Sequence, residues 1–435
     1  MIKRSRRLHW TSPFALLICA GSIAGCGRAG EGKAAGSPSM LPDGLPSGFF
    51  EASPIGERAA AGERPRITHV QIIDLDKDGL ADVLVCDALR DRVSWIRQSP
   101  RGSFTETVVA SIHAPAHVTP IDFDGDGDLD LVVAVLGVLM PSNNRTGSVI
   151  VLENDGHQRF TPHVIADRIA RVADAEPADL DGDGDIDIAV AGFGYDDGES
   201  GWLENKGGWR FEMHTLLRLS GTINAAVVDI NNDGRPDIVA LVSQEWEEIW
   251  AFVNDGPGRF TPRMIWGSTN PDFGSSWLTL ADLDHDGDVD FVYSNGDAFD
   301  YAPSNSRPWH GVQWLENKGQ LQFAFHRIAD LPGASSPQVA DIDGDGDLDV
   351  IVASANNDWD YPVAPSLVWL ENNGRMQFTK HTIASSPTHL ITLAAGDLDG
   401  NGTPDIVAAG MHVNRPFSRM GRVTAWINHG PPAPR

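Results

Sequence analysis

Cysteine is nearly absent: Cys19, Cys26 and Cys86 are the only three in 435 residues, too few for a disulfide framework. Positive charge is scarce as well. Thirty-three Lys and Arg face 60 Asp and Glu, a formal net charge of −27, which argues against nucleic acid or an anionic lipid surface as partner. Helical 3.6-residue periodicity is almost missing, which sets aside helical bundles and βαβ architectures. Beyond the N-terminus no apolar run is long enough to span a bilayer as a helix. No nucleophile elbow, phosphate loop or zinc signature occurs. What remains is an ordinary apolar fraction of 41%, enough for a sizeable core.

The first residues read as a targeting segment. Lys3, Arg4, Arg6 and Arg7 precede the apolar stretch PFALLICAGSIAG, which is shorter than a membrane span. It ends in Ile23-Ala24-Gly25-Cys26, which resembles the lipobox of bacterial lipoprotein signal peptides. The alternative is an ordinary secretory signal with a chance cysteine. The lipobox resemblance implies that residues 1–25 are removed and that Cys26 carries lipid. Residues 26–46, rich in Gly, Ala, Ser and Pro, then form a tether, and residues 47–435 form the fold. The expected location is the bacterial cell envelope, extracytoplasmic, touching the membrane through the anchor only. Cys86, within ADVLVCD, is expected to be buried in a strand.

An acidic nonapeptide recurs seven times: DLDKDGLAD (74–82), DFDGDGDLD (122–130), DLDGDGDID (179–187), DINNDGRPD (229–237), DLDHDGDVD (282–290), DIDGDGDLD (341–349) and DLDGNGTPD (397–405). A second motif travels with it. Trp-Leu-Glu-Asn at 202–205, 314–317 and 369–372, and Val-Leu-Glu-Asn at 151–154, each stand nine residues before a phenylalanine: Phe211, Phe323, Phe378 and Phe160. Trp95 with Phe104 and Ala251 with Phe260 keep that interval, and Gly and Asn between the members read as hairpin turns. Each unit therefore reads as four short strands. Strand A enters the acidic loop, strand B leaves it, strand C carries Leu-Glu-Asn, and strand D starts at the Phe.

Repeated four-stranded units of this length predict an all-β, seven-bladed β-propeller. The last copy lacks a strand D before Arg435. The segment GFFEASPIGE at 48–57 aligns with GRFTPRMIWG at 258–267, so the N-terminal strand is expected to complete the last blade. The D-x-D-x-D-G-x-x-D loop between strands A and B is similar to that of the FG-GAP/VCBS repeats, whose best-known members are integrin α-chain propellers. The resemblance covers roughly residues 48–430. Phe-Gly and Gly-Ala-Pro elements are largely missing, with Gly192-Phe193-Gly194 the nearest trace. A monomeric propeller is expected.

Oxygen donors at alternating positions favour a hard cation, with glycine at position 6 allowing the turn, as in EF-hand loops. Position 12, where an EF-hand places a bidentate Glu, is Val85, Val133 or Val190 in the first three loops. The ninth-position Asp is expected to take over that role. Side-chain ligands in loop one are then Asp74, Asp76, Asp78 and Asp82, with the carbonyl of Leu80. Loop two offers Asp122, Asp124, Asp126 and Asp130 with Asp128; loop three Asp179, Asp181, Asp183 and Asp187 with Asp185. Loop four has Asp229, Asn231, Asp233 and Asp237 with Arg235, and loop five Asp282, Asp284, Asp286 and Asp290 with Asp288. Loop six has Asp341, Asp343, Asp345 and Asp349 with Asp347, and loop seven Asp397, Asp399, Asn401 and Asp405 with Thr403. Thirty of the sixty acidic residues lie in these windows, so up to seven structural Ca²⁺ ions are expected. Asn231 and Asn401 make loops four and seven the weaker ones.

The A–B loops share one face of the ring with the tight C–D turns. The opposite face carries long B–C loops such as 294–311, 354–366 and 410–421, where ligand recognition is expected. Trp246, Trp277, Tyr301, Trp309, Trp359 and Tyr361 stand outside the repeat pattern among Asn, Asp, Arg and His, a mixture suited to a carbohydrate or a cell-surface protein. Five residues before each acidic loop stand His69, His117, Asp174, Asn224, Trp277, Ser336 and Thr392, expected to line the channel mouth. There His69, His117, Asp174 and Glu176 are the candidates for an alternative function, a lyase-like enzyme acting on polysaccharide. His163, His214, His326 and His381 recur in strand D and are expected to be structural.

Overall fold

A computed structural model describes residues 49–299 and 306–430. Cys26, the signal and tether segments, and Tyr301 lie outside the described residues. Seven four-stranded antiparallel sheets follow one another as the blades of a propeller. In the first blade strands A to D are Ile67–Ile73, Asp82–Asp87, Arg92–Gln98 and Phe104–Ser111. The last blade contains Leu390–Gly396, Asp405–Gly410 and Val423–Asn428. Its fourth strand is Phe50–Pro54, which pairs antiparallel with Val423–Asn428. Phe50 faces Asn428 as Phe260 faces Asn254 in the fourth blade, the register that the sequence alignment predicts.

The strands differ by depth as their sequences require. Strand B is buried at every position in the blades that read DVLVCD, DLVVAV and DVIVAS, because other blades cover both faces of the sheet. Cys86 lies there, fully buried, and burial pushes its thiol far up. Strand D carries only intermediate and exposed residues along the rim in the first and fourth blades. Trp95, Trp202, Trp314 and Trp369 pack at the same strand C position in the hydrophobic clusters between blades.

A buried ion network joins the first and last blades. Arg422 clamps Glu106 with two hydrogen bonds of 2.6 Å and reaches Asp87 Oδ2 at 3.0 Å. Around it, Arg90 and Arg92 hold Glu57, and Arg90 also holds Glu63, whose carboxyl is pulled down to about 2. Among the described residues, no helix is long and apolar enough to cross a membrane.

Candidate functional site

The seven acidic loops share one hydrogen-bond plan. The position-1 Asp accepts from the position-6 glycine N–H in all seven, at 2.7–3.1 Å. That glycine must be left-handed: Gly127 and Gly184 have φ of +95° and +96°, with open space where a Cβ would stand. In loop two, Asp122, Asp124 and Asp130 bring one oxygen each within 4.8 Å of the others, and Asp179, Asp181 and Asp187 do so in loop three. In loop one Asp76 Oδ1 is buried without a hydrogen-bond partner. An all-oxygen set of converging carboxylates fits a hard cation such as Ca²⁺.

The ninth Asp has a second task that the sequence reading missed. It is at most 1% exposed in every blade. Its Oδ2 accepts from the position-2 N–H at 2.8–3.3 Å. Its Oδ1 accepts from the backbone N–H of the last strand C residue, at 2.7 Å in all seven blades. Burial raises these carboxyls, to about 6 for Asp82, Asp187, Asp237 and Asp290 and about 7 for Asp349. Resident guanidinium groups pair with loop carboxylates in two loops, and Arg101 donates to the Asp399 carbonyl of loop seven. Arg97 reaches Asp76 at 2.6 Å and Asp78 at 3.0 Å, and Arg235 reaches Asp233 at 2.5 Å.

The recurring strand D histidines prove local. His163, His214, His326 and His381 pair with Glu153, Glu204, Glu316 and Glu371 at 2.5–2.8 Å, and the last three also lie against Trp202, Trp314 and Trp369.

On the opposite face the five described aromatics do not form one site. Trp246, 38% exposed, donates from Nε1 to Ser220. Trp309 donates to the carbonyl of Asp272 at 2.8 Å. Trp277 lies in the central channel, 5.7 Å from the ring of His117. Tyr361 is freely exposed at 62%. Trp359 does not present its face. It is 8% exposed, packed beside His389 and Arg419, and its indole N–H is buried without a partner. It belongs to the lining of a groove of about 1180 Å³ built by Asn356–Asp360 and Asn414–Ser418, with Ser306 and His389. Arg415 and Phe417, absent from the sequence candidates, line the same groove; Arg64 stacks on Phe417 at 3.9 Å.

The channel ring stands where the spacing puts it, and a bulge explains how. In each blade the A–B pairing slips just where the ring residue sits, between Ile67 and His69, Pro115 and His117, Val172 and Asp174, and Thr222 and Asn224. The slips at Ser275/Trp277, Ser335/Gln338 and Leu390/Thr392 complete the set. A bulge re-aims the side chain that follows it. His69, His117, Asp174, Glu176, Asn224 and Trp277 line a cavity of about 350 Å³. The rings of His69 and His117 lie 3.8 Å apart, tilted by 35°, and burial lowers both imidazoles. His117 Nδ1 lies 3.2 Å from Asp174 and 3.8 Å from Glu176, whose carboxyl burial raises well above its usual range.

Fold and loops together define a seven-bladed β-propeller with an acidic loop between the first two strands of every blade. The FG-GAP-like repeat profile matches residues 74–133, 179–240, 229–293 and 341–408, and the chain belongs to that family. No curated protein matches the sequence. Among solved structures, one described as BBS1N in complex with ARL6DN, soaked with lead, superposes with a TM-score of 0.51 at 11% identity, over 87% of this chain and 97% of that one. Its mercury-soaked counterpart gives 0.51 at 12%, with the same coverage. The V. cholerae biofilm matrix protein Bap1 gives a TM-score of 0.41 at 12% identity, over 88% of this chain and 92% of that one. The first two likenesses extend to the fold.

Proposed function

We propose that this propeller is a calcium-stabilised, lipid-anchored, extracytoplasmic module of a bacterial envelope that binds a carbohydrate or cell-surface protein on its loop-rich face. The observation that carries the binding role is the groove between the B–C loops of the last two blades. It is wide, about 1180 Å³, and mixes Asn357, Asp358, Asp360, Asn414 and Arg415 with the ring of Phe417 and the buried Trp359. Amides and carboxylates beside aromatic carbon suit sugar hydroxyls and ring faces, and equally the Tyr and Arg anchors of a protein partner.

Calcium belongs to the opposite face in this reading. The position-1, -3, -5 and -9 side chains, with the position-7 carbonyl, supply an oxygen shell for one ion per loop. Loops two, three, five and six keep five aspartates each, and bind most tightly. Arg97 and Arg235 compete with the ion in loops one and four. The chemistry supplied is charge neutralisation alone.

The test is capture of glycans and surface proteins by the purified protein, comparing wild type with Phe417→Ala and Arg415→Ala, both in the groove lining. Loss of capture in both, at an unchanged melting temperature, supports the groove. Undiminished capture by both removes it from consideration.

A further inference from the structure

The channel ring is first a structural device. Five ring side chains accept the next blade's backbone N–H: Thr392 from Val70 (3.2 Å), His69 from Val118 (3.4 Å), Asp174 from Ala225 (3.1 Å), Asn224 from Leu278 (3.1 Å) and Ser336 from Leu393 (3.2 Å). Trp277 has no acceptor to offer. His117 does have one, yet the N–H that follows in the next blade, that of Ala175, turns to Asp174 Oδ1 at 2.9 Å. His117 is thus left out of the relay.

Its Nδ1 instead meets a second set of groups. Asp174 Oδ1 lies at 3.2 Å, Glu176 Oε1 at 3.8 Å and Thr119 Oγ1 at 3.3 Å, while Thr119 Oγ1 is also 3.3 Å from Glu176 Oε1. His117 Nδ1 and the two carboxylate oxygens all fall within 4.8 Å of one another. Four donors around a tetrahedral ion, bonded at about 2.0–2.1 Å, are separated by about 3.3–3.4 Å. The channel donors already stand near those separations. A buried carboxylate, Asp174, and a half-buried one, Glu176, meet here, and among the described residues the only basic group within ion-pairing distance of either is His117.

We propose that His117, Asp174 and Glu176 bind one divalent transition cation of the zinc class, with Thr119 or a channel water at the fourth position. The nitrogen donor and the small number of ligands separate this site from the acidic loops, since Ca²⁺ takes six to eight oxygens at longer distances. Asn224 Nδ2 and Ala225 N–H fix Asp174 Oδ2 at 3.1 Å each, the outer-shell support that metal-binding carboxylates require. The site depends on no assignment of the loops or of the groove.

Equilibrium dialysis of the purified protein against Zn²⁺, and a Co²⁺ visible spectrum, both in saturating Ca²⁺, test this. One Zn²⁺ per chain and the intense absorption of four-coordinate Co²⁺ are expected. His117→Ala and the near-isosteric Glu176→Gln should abolish that absorption, and Asn224→Ala should weaken Zn²⁺ about 10-fold or more. His214→Ala, which removes a half-buried cluster with Glu204 and Glu212, should change neither readout. Absence of Zn²⁺ from the wild type overturns the site. So does Zn²⁺ that survives Glu176→Gln in a folded protein, or that follows His214 rather than His117.

Discussion

The side-chain amide of Asn254, the last residue of its strand C, donates at 2.8 Å to the carbonyl of Leu180 in the preceding blade's acidic loop. Asn317 to Ile230, Asn428 to Ile342, and Gln98 to Leu398 repeat this link at 2.8–3.4 Å, the last one across the closing junction. The same amides also donate to the position-8 carbonyl of their own loops, as Asn254 does to Pro236 at 3.0 Å. The last residue of strand C therefore ties its own loop to its blade, and at these four junctions it also ties one blade to the next. Asn254→Ala and Asn428→Ala orphan buried carbonyls and should each destabilise the ring by about 1–3 kcal/mol, read as a lower urea midpoint. An unchanged midpoint in both would deny the stitch any weight.

Asp130 is the same device seen from the acidic side. It accepts from Phe123 N–H at 2.9 Å and Asn154 N–H at 2.7 Å while almost fully buried. Asp130→Ala should cost about 1–3 kcal/mol for each orphaned N–H. The loss should persist in the presence of chelator, because it does not depend on an ion. Equal stability of variant and wild type under chelation would reduce Asp130 to a metal ligand only.

The ninth-position aspartates set a pH dependence whose sign is testable. Their folded-state values of about 6 to 7 lie above the unfolded carboxylate value of about 3.9. The metal-free ring therefore binds more protons than the unfolded chain between those limits. Its stability is fully present below about pH 4 on this count and declines as pH rises through about 6 to 7. Without calcium, the melting temperature should fall from about pH 5 to about pH 8. Calcium should reverse the slope, since the bound ion requires deprotonated carboxylates. A chelated protein that gains stability over that interval would refute the burial argument.

Closure rests on Arg422. Removing it leaves Asp87 buried at the seam between the first and last blades with only Arg90 at 3.9 Å, and Glu106 with only Arg92 at 3.0 Å. Arg422→Ala should cost about 3–5 kcal/mol, and proteolysis should become rapid at the Phe50–Pro54 strand. Wild-type resistance to protease would show that the strand holds without the network.

Trp359 and Tyr361 should separate packing from recognition. Trp359→Ala removes a ring that is 8% exposed and should destabilise by about 3–5 kcal/mol. Tyr361→Ala, 62% exposed, should leave the melting temperature unchanged and weaken capture. Matching melts for the two variants would contradict the burial of Trp359.

The architecture was legible because it is repetitive. Seven acidic loops and the Trp-to-Phe interval set the blade number, and the alignment of Phe50 with Phe260 gave the closing strand. The ring of His69 to Thr392 was legible by spacing, although the bulge that turns each side chain inward leaves no residue signature. Asn254 and its equivalents were visible as a motif and not as a link, because their partner carbonyls lie about 70–90 residues away in the chain. Trp359 stands in an irregular loop, where no period separates a buried ring from an exposed one. Arg97, in strand C, gives no sign in sequence that it folds over loop one.

Calcium dependence of thermal unfolding is the most direct test of what holds the ring. With half of all acidic residues in seven loops, a calcium-held propeller should lose many degrees of melting temperature on chelation at pH 8 and regain them with added Ca²⁺. Asp126→Ala should remove one ion from the bound stoichiometry. A melting temperature unmoved by chelator, with no calcium retained by the native protein, would contradict the assignment.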